Sequence, residues 1–140
     1  MKYRNIFKNN YFITLKSLFH VVNFLLIIFY LYPGSIFGYL IYGDFNIQPQ
    51  ITNDIFNISS NHIYIFIIIS LLGLFAYYKN YLFKVMLFYL FFISIFLELM
   101  HLVIPQRGFE IKDLVGNITG VILSIILIII IKIFKKWKNQ

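Results

Sequence analysis

Four apolar runs, each about as long as a membrane-crossing helix, dominate this sequence and leave little else for the chain to fold from. A bilayer core of about 30 Å needs about 20 apolar residues per spanning helix, and inside it a backbone satisfies its own polar groups by becoming helical. The runs fall at about 11–32, 62–78, 82–104 and 114–134, separated by short polar or charged connections. They predict an all-α, polytopic membrane protein: a single integral-membrane domain over residues 1–140, with four transmembrane helices. Only 12% of the residues are charged and the mean hydropathy is +0.83, whereas a soluble domain carries about 25% charged residues to clothe its surface. No stretch outside the runs is apolar enough to bury a core of its own.

The individual runs differ. The first, Tyr11 to Tyr32, carries Lys16, His20 and Asn23 and stops at Pro33-Gly34. Its apolar stretch is long for a signal peptide and lacks a following A-x-A-like site, so it is expected to stay as an anchor. The second, His62 to Tyr78, spans about 26 Å at 1.5 Å per residue and barely crosses. The third has Lys84 near its start and Glu98 and His101 near its far end. The fourth ends in four isoleucines before Lys132, Lys135, Lys136 and Lys138, a stop-transfer cluster with Trp137 as an interfacial anchor. Between the first two runs, Ile36 to Tyr42 is a short apolar stretch expected along the interface.

Charge sets the expected orientation. With an even number of spans, Lys2, Arg4, Lys8, Lys16, Lys79, Lys84, Lys132, Lys135, Lys136 and Lys138 share one side, opposed only by Arg107 and Lys112. That asymmetry puts both termini in the cytoplasm. The five acids, Asp44, Asp54, Glu98, Glu110 and Asp113, fall on or near the other side. The net charge of +7 is therefore topological and calls for no nucleic acid; the partners expected are membrane lipids. With no cysteine there is no disulfide, thiolate nucleophile or Cys-ligated metal.

Placing each polar group at its depth gathers one set at the outer face: His62, Glu98, His101, Arg107, Glu110, Asp113 and Asn117. Glu98 and His101 lie three apart on one helix face, and Asp113, Asn117, Gly120 and Ser124 share another. Gly120 and Ser124 are expected to bring the third and fourth spans close together, in the manner of small-xxx-small packing. A carboxylate at the depth of Glu98 needs a partner, and Arg107 or His101 is the expected one. Asp113 is expected to cap the fourth span and Asn117 to bond across helices.

The run Glu98-Leu99-Met100-His101, then Pro105-Gln106-Arg107, then Glu110, Asp113, Asn117 and Gly120 resembles the E-x-x-Q/H, P-x-R, D-x-x-x-N-x-x-G signature of VanZ-like membrane proteins. The resemblance covers about residues 61–134. His62 matches a histidine that in this family closes a D-K-x-x-H motif, although Ile58 and Ser59 stand where that motif has Asp and Lys. It implies a small bacterial inner-membrane protein acting in the cell envelope, one member being linked to resistance to a glycopeptide.

Three functions fit these residues. The first is a non-catalytic protein binding a lipid-linked or amphiphilic anionic molecule at the outer leaflet through His62, Glu98, His101, Arg107, Asp113 and Asn117, with Pro105 and Gly120 structural; guanidinium suits phosphate oxygens. The second is a membrane enzyme using Glu98, His101 or Asp113 as acid or base on an envelope lipid or peptide. The third is a structural subunit of a membrane complex. Glu98-x-x-His101 is half of a carboxylate-bridged di-metal arrangement, but a second such pair is missing. A single ion held by His62, His101, Glu98 and Asp113 is compatible by residue type, yet the simpler reading of these groups needs no metal and no other cofactor. No G-x-S-x-G, Walker, H-E-x-x-H or Rossmann motif occurs.

Overall fold

The computed structural model describes residues 2–78 and 80–138, with side chains from Tyr11 onward. The side chains of Lys2, Arg4 and Lys8, and Lys79 altogether, lie outside the described residues.

Five helices follow one another: α1 (Lys2–Leu31), α2 (Ile36–Tyr42), α3 (Ser60–Ala76), α4 (Phe83–Met100) and α5 (Ile111–Trp137). Among the described residues there is no strand, and the chain is all-α. Three of the helices, over Tyr11–Leu31, Phe83–Met100 and Ile111–Trp137, are long and apolar enough to cross a membrane, while α3 is apolar but shorter. The exposed side chains along these helices, among them Phe24, Phe88, Phe92 and Ile129, are what lipid rather than water would cover.

The third apolar run ends sooner than expected. Instead of continuing to Ile104, α4 stops at Met100, and residues 101–103 close as tight turns in which the amides of His101, Leu102 and Val103 reach back three residues to Glu98, Leu99 and Met100. Pro105 explains the tightening, because the residue before a proline is disfavoured in the α region. Ser35 caps α2, its Oγ accepting from the Gly38 amide at 2.9 Å, and Gly43 ends it at φ +72°. Phe37, Tyr39, Leu40, Ile41 and Tyr42 are exposed, so this short helix presents an apolar surface.

The closest helix contact is not the expected one. Gly120 does not admit α4; its missing side chain admits α3, where a Cβ would lie 2.6 Å from the Ile63 carbonyl oxygen and 2.7 Å from Phe66 Cβ. Gly116, one turn earlier, faces Ser59 and His62 in the same way. Ser124 Oγ extends the seam with a 3.2 Å bond to the Ile67 carbonyl. The 4-3-4 spacing identified a small-residue face but carried no information about which neighbour would occupy it. Around this seam the core is filled by Phe19, Tyr30, Phe66, Leu90, Leu97 and Val121.

At one end of the bundle, cations meet the aromatic rings at the end of α3 and the start of α4: Lys16 Nζ lies 5.1 Å from the Tyr77 ring, and Lys132 Nζ 5.3 Å from Tyr78 and 5.0 Å from Phe83. The opposite end carries the 43–59 loop and the 101–110 turn, joined where Lys112 Nζ meets Asp54 at 3.6 Å and Glu110 at 3.1 Å. The polar cluster lies at that second end.

Candidate functional site

Four elements deliver side chains to one buried polar cluster: Tyr30 from the last turn of α1, His62 from the first turn of α3, Glu98 from the last turn of α4 with His101 just beyond it, and Asp113 and Asn117 from the start of α5. Glu98 and Asn117 are fully buried, and Tyr30, His101 and Asp113 nearly so. Burial at this depth demands partners, because an unpaired polar group away from water costs several kcal/mol.

Asn117 is the hub. Its Nδ2 donates to the Ser94 carbonyl of α4 at 3.1 Å, while its Oδ1 lies 2.9 Å from His62 Nδ1 and accepts from the Tyr30 hydroxyl at 3.0 Å. The expected interhelical bond of Asn117 is thus present three times over, tying α1, α3 and α4 to α5. His62 turns its other nitrogen to Asp113, with Nε2 3.5 Å from Oδ2.

Asp113 differs from expectation. Glu110 occupies the N-cap of α5 and makes no side-chain capping bond, whereas Asp113 sits one turn in and faces His62. An acid in the first turn still suits the helix dipole. Asp113 turns away from the capping position because His62 faces it across the α3–α5 seam.

Glu98 finds its partner in His101, as one of the two expected alternatives held, and not in Arg107. His101 Nδ1 lies 3.3 Å from Glu98 Oε1, which also accepts from the Glu110 amide at 3.1 Å. The second imidazole nitrogen of His101 points to the Tyr30 carbonyl at 3.1 Å, and the two rings stack 5.7 Å apart. Glu98 Oε2 is buried with no hydrogen-bond partner.

Arg107 takes a different place. Its Nη2 donates to the Phe29 carbonyl at 2.8 Å and its Nε to the Tyr32 carbonyl at 3.2 Å, so the guanidinium closes the carboxy-terminal end of α1. The last carbonyls of a helix have no intrahelical donor, and a cation there also meets the negative end of the dipole. Burial lowers the Arg107 pKa, and the fields of Glu98 and Asp113 oppose that shift. The preceding turn aims the side chain: Arg107 N bonds Ile104 O at 3.3 Å, with Pro105 at the first corner and Gln106 at φ +59° at the second. Pro105 presets the first corner's φ, and the left-handed second corner is the mark of a type II turn.

Every candidate chosen from the sequence therefore lies in or beside one cluster, with Gly120 packed just beneath it. Tyr30 was missed. In sequence it is one more tyrosine near a helix end, where aromatic residues are common at membrane interfaces, and only the packing of α1 brings its hydroxyl to Asn117. His20 and Asn23 lie away from the cluster and meet Tyr77 and Tyr89 as ordinary bundle contacts.

Compared with family models, with curated proteins and with solved structures, the chain matches none.

Proposed function

We propose that this is a four-span, VanZ-like protein of the bacterial cytoplasmic membrane, with both termini in the cytoplasm, that binds the anionic headgroup of a lipid-linked or amphiphilic molecule at the outer leaflet. On this reading it influences envelope homeostasis and glycopeptide susceptibility by holding that molecule, not by transforming it. The observation that carries the reading is the setting of Arg107. Two of its nitrogens are spent on the Phe29 and Tyr32 carbonyls, which fixes the plane of the guanidinium, while Nη1 has no partner among the described residues and the side chain is only half-buried. A guanidinium held in advance loses little freedom on meeting a phosphate, and its planar fork suits two phosphate oxygens.

The test uses the purified protein in mild detergent and soluble short-chain lipids. Dihexanoyl phosphatidic acid should raise the melting temperature of the wild type, and dihexanoyl phosphatidylcholine should not. Arg107→Gln should fold yet lose the shift, and Arg107→Lys should not restore it, since lysine lacks the fork. An equal shift with both lipids, or an undiminished shift in Arg107→Gln, would count against headgroup binding at this residue.

A further inference from the structure

We propose that His62, Glu98 and Asp113 bind a single divalent transition-metal ion of the zinc class. The inference is independent of headgroup binding at Arg107, because it rests on the hydrogen-bond bookkeeping of the buried cluster.

It begins at Asn117. The Ser94 carbonyl needs a donor, so the amide nitrogen of Asn117 faces it and the amide oxygen faces His62. An oxygen acceptor 2.9 Å from His62 Nδ1 requires the proton on Nδ1; the Tyr30 hydroxyl, 3.0 Å from both that nitrogen and the Asn117 oxygen, then gives its own proton to the oxygen. In the neutral ring, His62 Nε2 then presents a lone pair. This is the arrangement that metal-binding histidines adopt, one nitrogen donating to an oxygen of the surroundings and the other free to ligate.

His62 Nε2 points at Asp113 Oδ2 across 3.5 Å. A charged imidazolium donating to a carboxylate would close to about 2.7–2.9 Å. Two ligands bonded at about 2.0–2.1 Å to a tetrahedral zinc ion lie about 3.3 Å apart, close to the separation found. The third group is Glu98, and one ligand atom from each of the three residues lies within 4.8 Å of the others. Glu98 also supplies an independent sign of a missing partner: it is fully buried, and its Oε2 has no hydrogen bond although Oε1 has two. A cation at this point would satisfy the orphaned oxygen and separate two carboxylates that otherwise repel.

The donor set selects the ion. One imidazole and two carboxylates suit zinc or its first-row neighbours, whereas magnesium and calcium prefer oxygen alone and soft ions prefer sulfur, which the chain lacks as cysteine. His101 is excluded as a ligand, since Tyr30 O and Glu98 Oε1 occupy both of its nitrogens; it positions Glu98 instead. The small exposure of His62 and Asp113, 15% and 12% of their side chains, leaves an access route and room for solvent on the ion. Because the ligands come from α3, α4 and α5, the ion would tie three helices together at one end.

The experiment uses full-length protein in detergent, stripped with a chelator and titrated with Co²⁺ as a visible probe, then with Zn²⁺. We expect one equivalent of Co²⁺ to bind, Zn²⁺ to displace it, and excess Mg²⁺ to leave it in place. His62→Asn, Glu98→Gln and Asp113→Asn should each weaken Co²⁺ binding by about tenfold or more, and Asn117→Leu, which frees the His62 ring, by about 10- to 100-fold. Arg107→Gln and His20→Gln should bind as wild type does, which separates this site from the headgroup reading. X-ray absorption of the zinc-loaded wild type needs no variant to fold and should report one imidazole and no sulfur. Failure of the wild type to bind one equivalent, undiminished binding in the ligand variants, or two or more imidazoles on the zinc would overturn the proposal.

Discussion

Replacing Gly120 by alanine sets one methyl group against the backbone of α3. The new Cβ would stand 2.6 Å from Ile63 O, 2.7 Å from Phe66 Cβ and 3.0 Å from Ile67 N. Carbon atoms in good contact lie about 3.5 Å apart, so the helices must separate locally by about 0.8 Å. No rotamer change relieves this, because the atoms met are backbone and Cβ. Overpacking of this kind costs about 1–3 kcal/mol, and alanine returns up to about 1 kcal/mol in helix backbone entropy. The separation also stretches the bonds on the same α5 face, Ser124 Oγ to Ile67 O and Asn117 Oδ1 to His62 Nδ1. A net loss of about 1–2 kcal/mol is expected for Gly120→Ala, with a larger loss for Gly120→Leu. Thermal unfolding in mild detergent measures it, with Gly108→Ala as the control, since a Cβ at Gly108 meets nothing within 4 Å. Equal melting temperatures for Gly120→Ala and Gly108→Ala would refute close packing of α3 on α5 at this glycine.

Asn117→Ala is expected to destabilise by about 2–4 kcal/mol in the same assay, because it strands the Ser94 carbonyl, the Tyr30 hydroxyl and His62 Nδ1 at once; a change below about 0.5 kcal/mol would mean that water replaces it freely. Lys112→Ala should shift stability by no more than about 0.5 kcal/mol, since its pairs with Asp54 and Glu110 are exposed, and the shift should shrink further in high salt. For topology, the absence of native cysteine gives a clean background. Asn53→Cys and Gly108→Cys should react with an impermeant thiol reagent added outside intact cells, and Asn80→Cys should not; labelling at Asn80→Cys alone would invert the orientation.

Hydropathy made the helices legible because each apolar run had to become one, whatever its neighbours. Boundaries were legible where a breaker acts, as at Pro33-Gly34, and less so at Met100, where the run of apolar residues continues past the last α-helical turn and only Pro105 hints at the change. Depth along the helices brought the site residues to one end before any packing was known. Rotation was not legible. Which face of α5 meets α3 and which meets α4 depends on the whole bundle, so the partners of Gly120 and Asp113 came out differently. Of the two partners expected for Glu98, Arg107 pairs elsewhere for a related reason: the bare carbonyls at the end of α1 are invisible in a sequence that shows only side chains.

The closest-packed helices in the bundle differ markedly in length. With 17 residues α3 measures about 26 Å, and with 27 residues α5 measures about 40 Å, against a hydrocarbon core of about 30 Å. Each alone would adjust in the opposite sense, α5 by tilting and α3 by drawing the bilayer thin around it. Joined at a glycine seam they cannot do so separately: any tilt that submerges the end of α5 shortens the projection of α3 further. On the four-span reading, the lipid around α3 must therefore be locally thin, and the polar cluster at its His62 end lies level with, or slightly beneath, the surrounding headgroups. Acyl-chain length then becomes a mechanical variable for this protein, with longer chains pulling against the seam that holds His62 to Asn117 and shorter chains relaxing it.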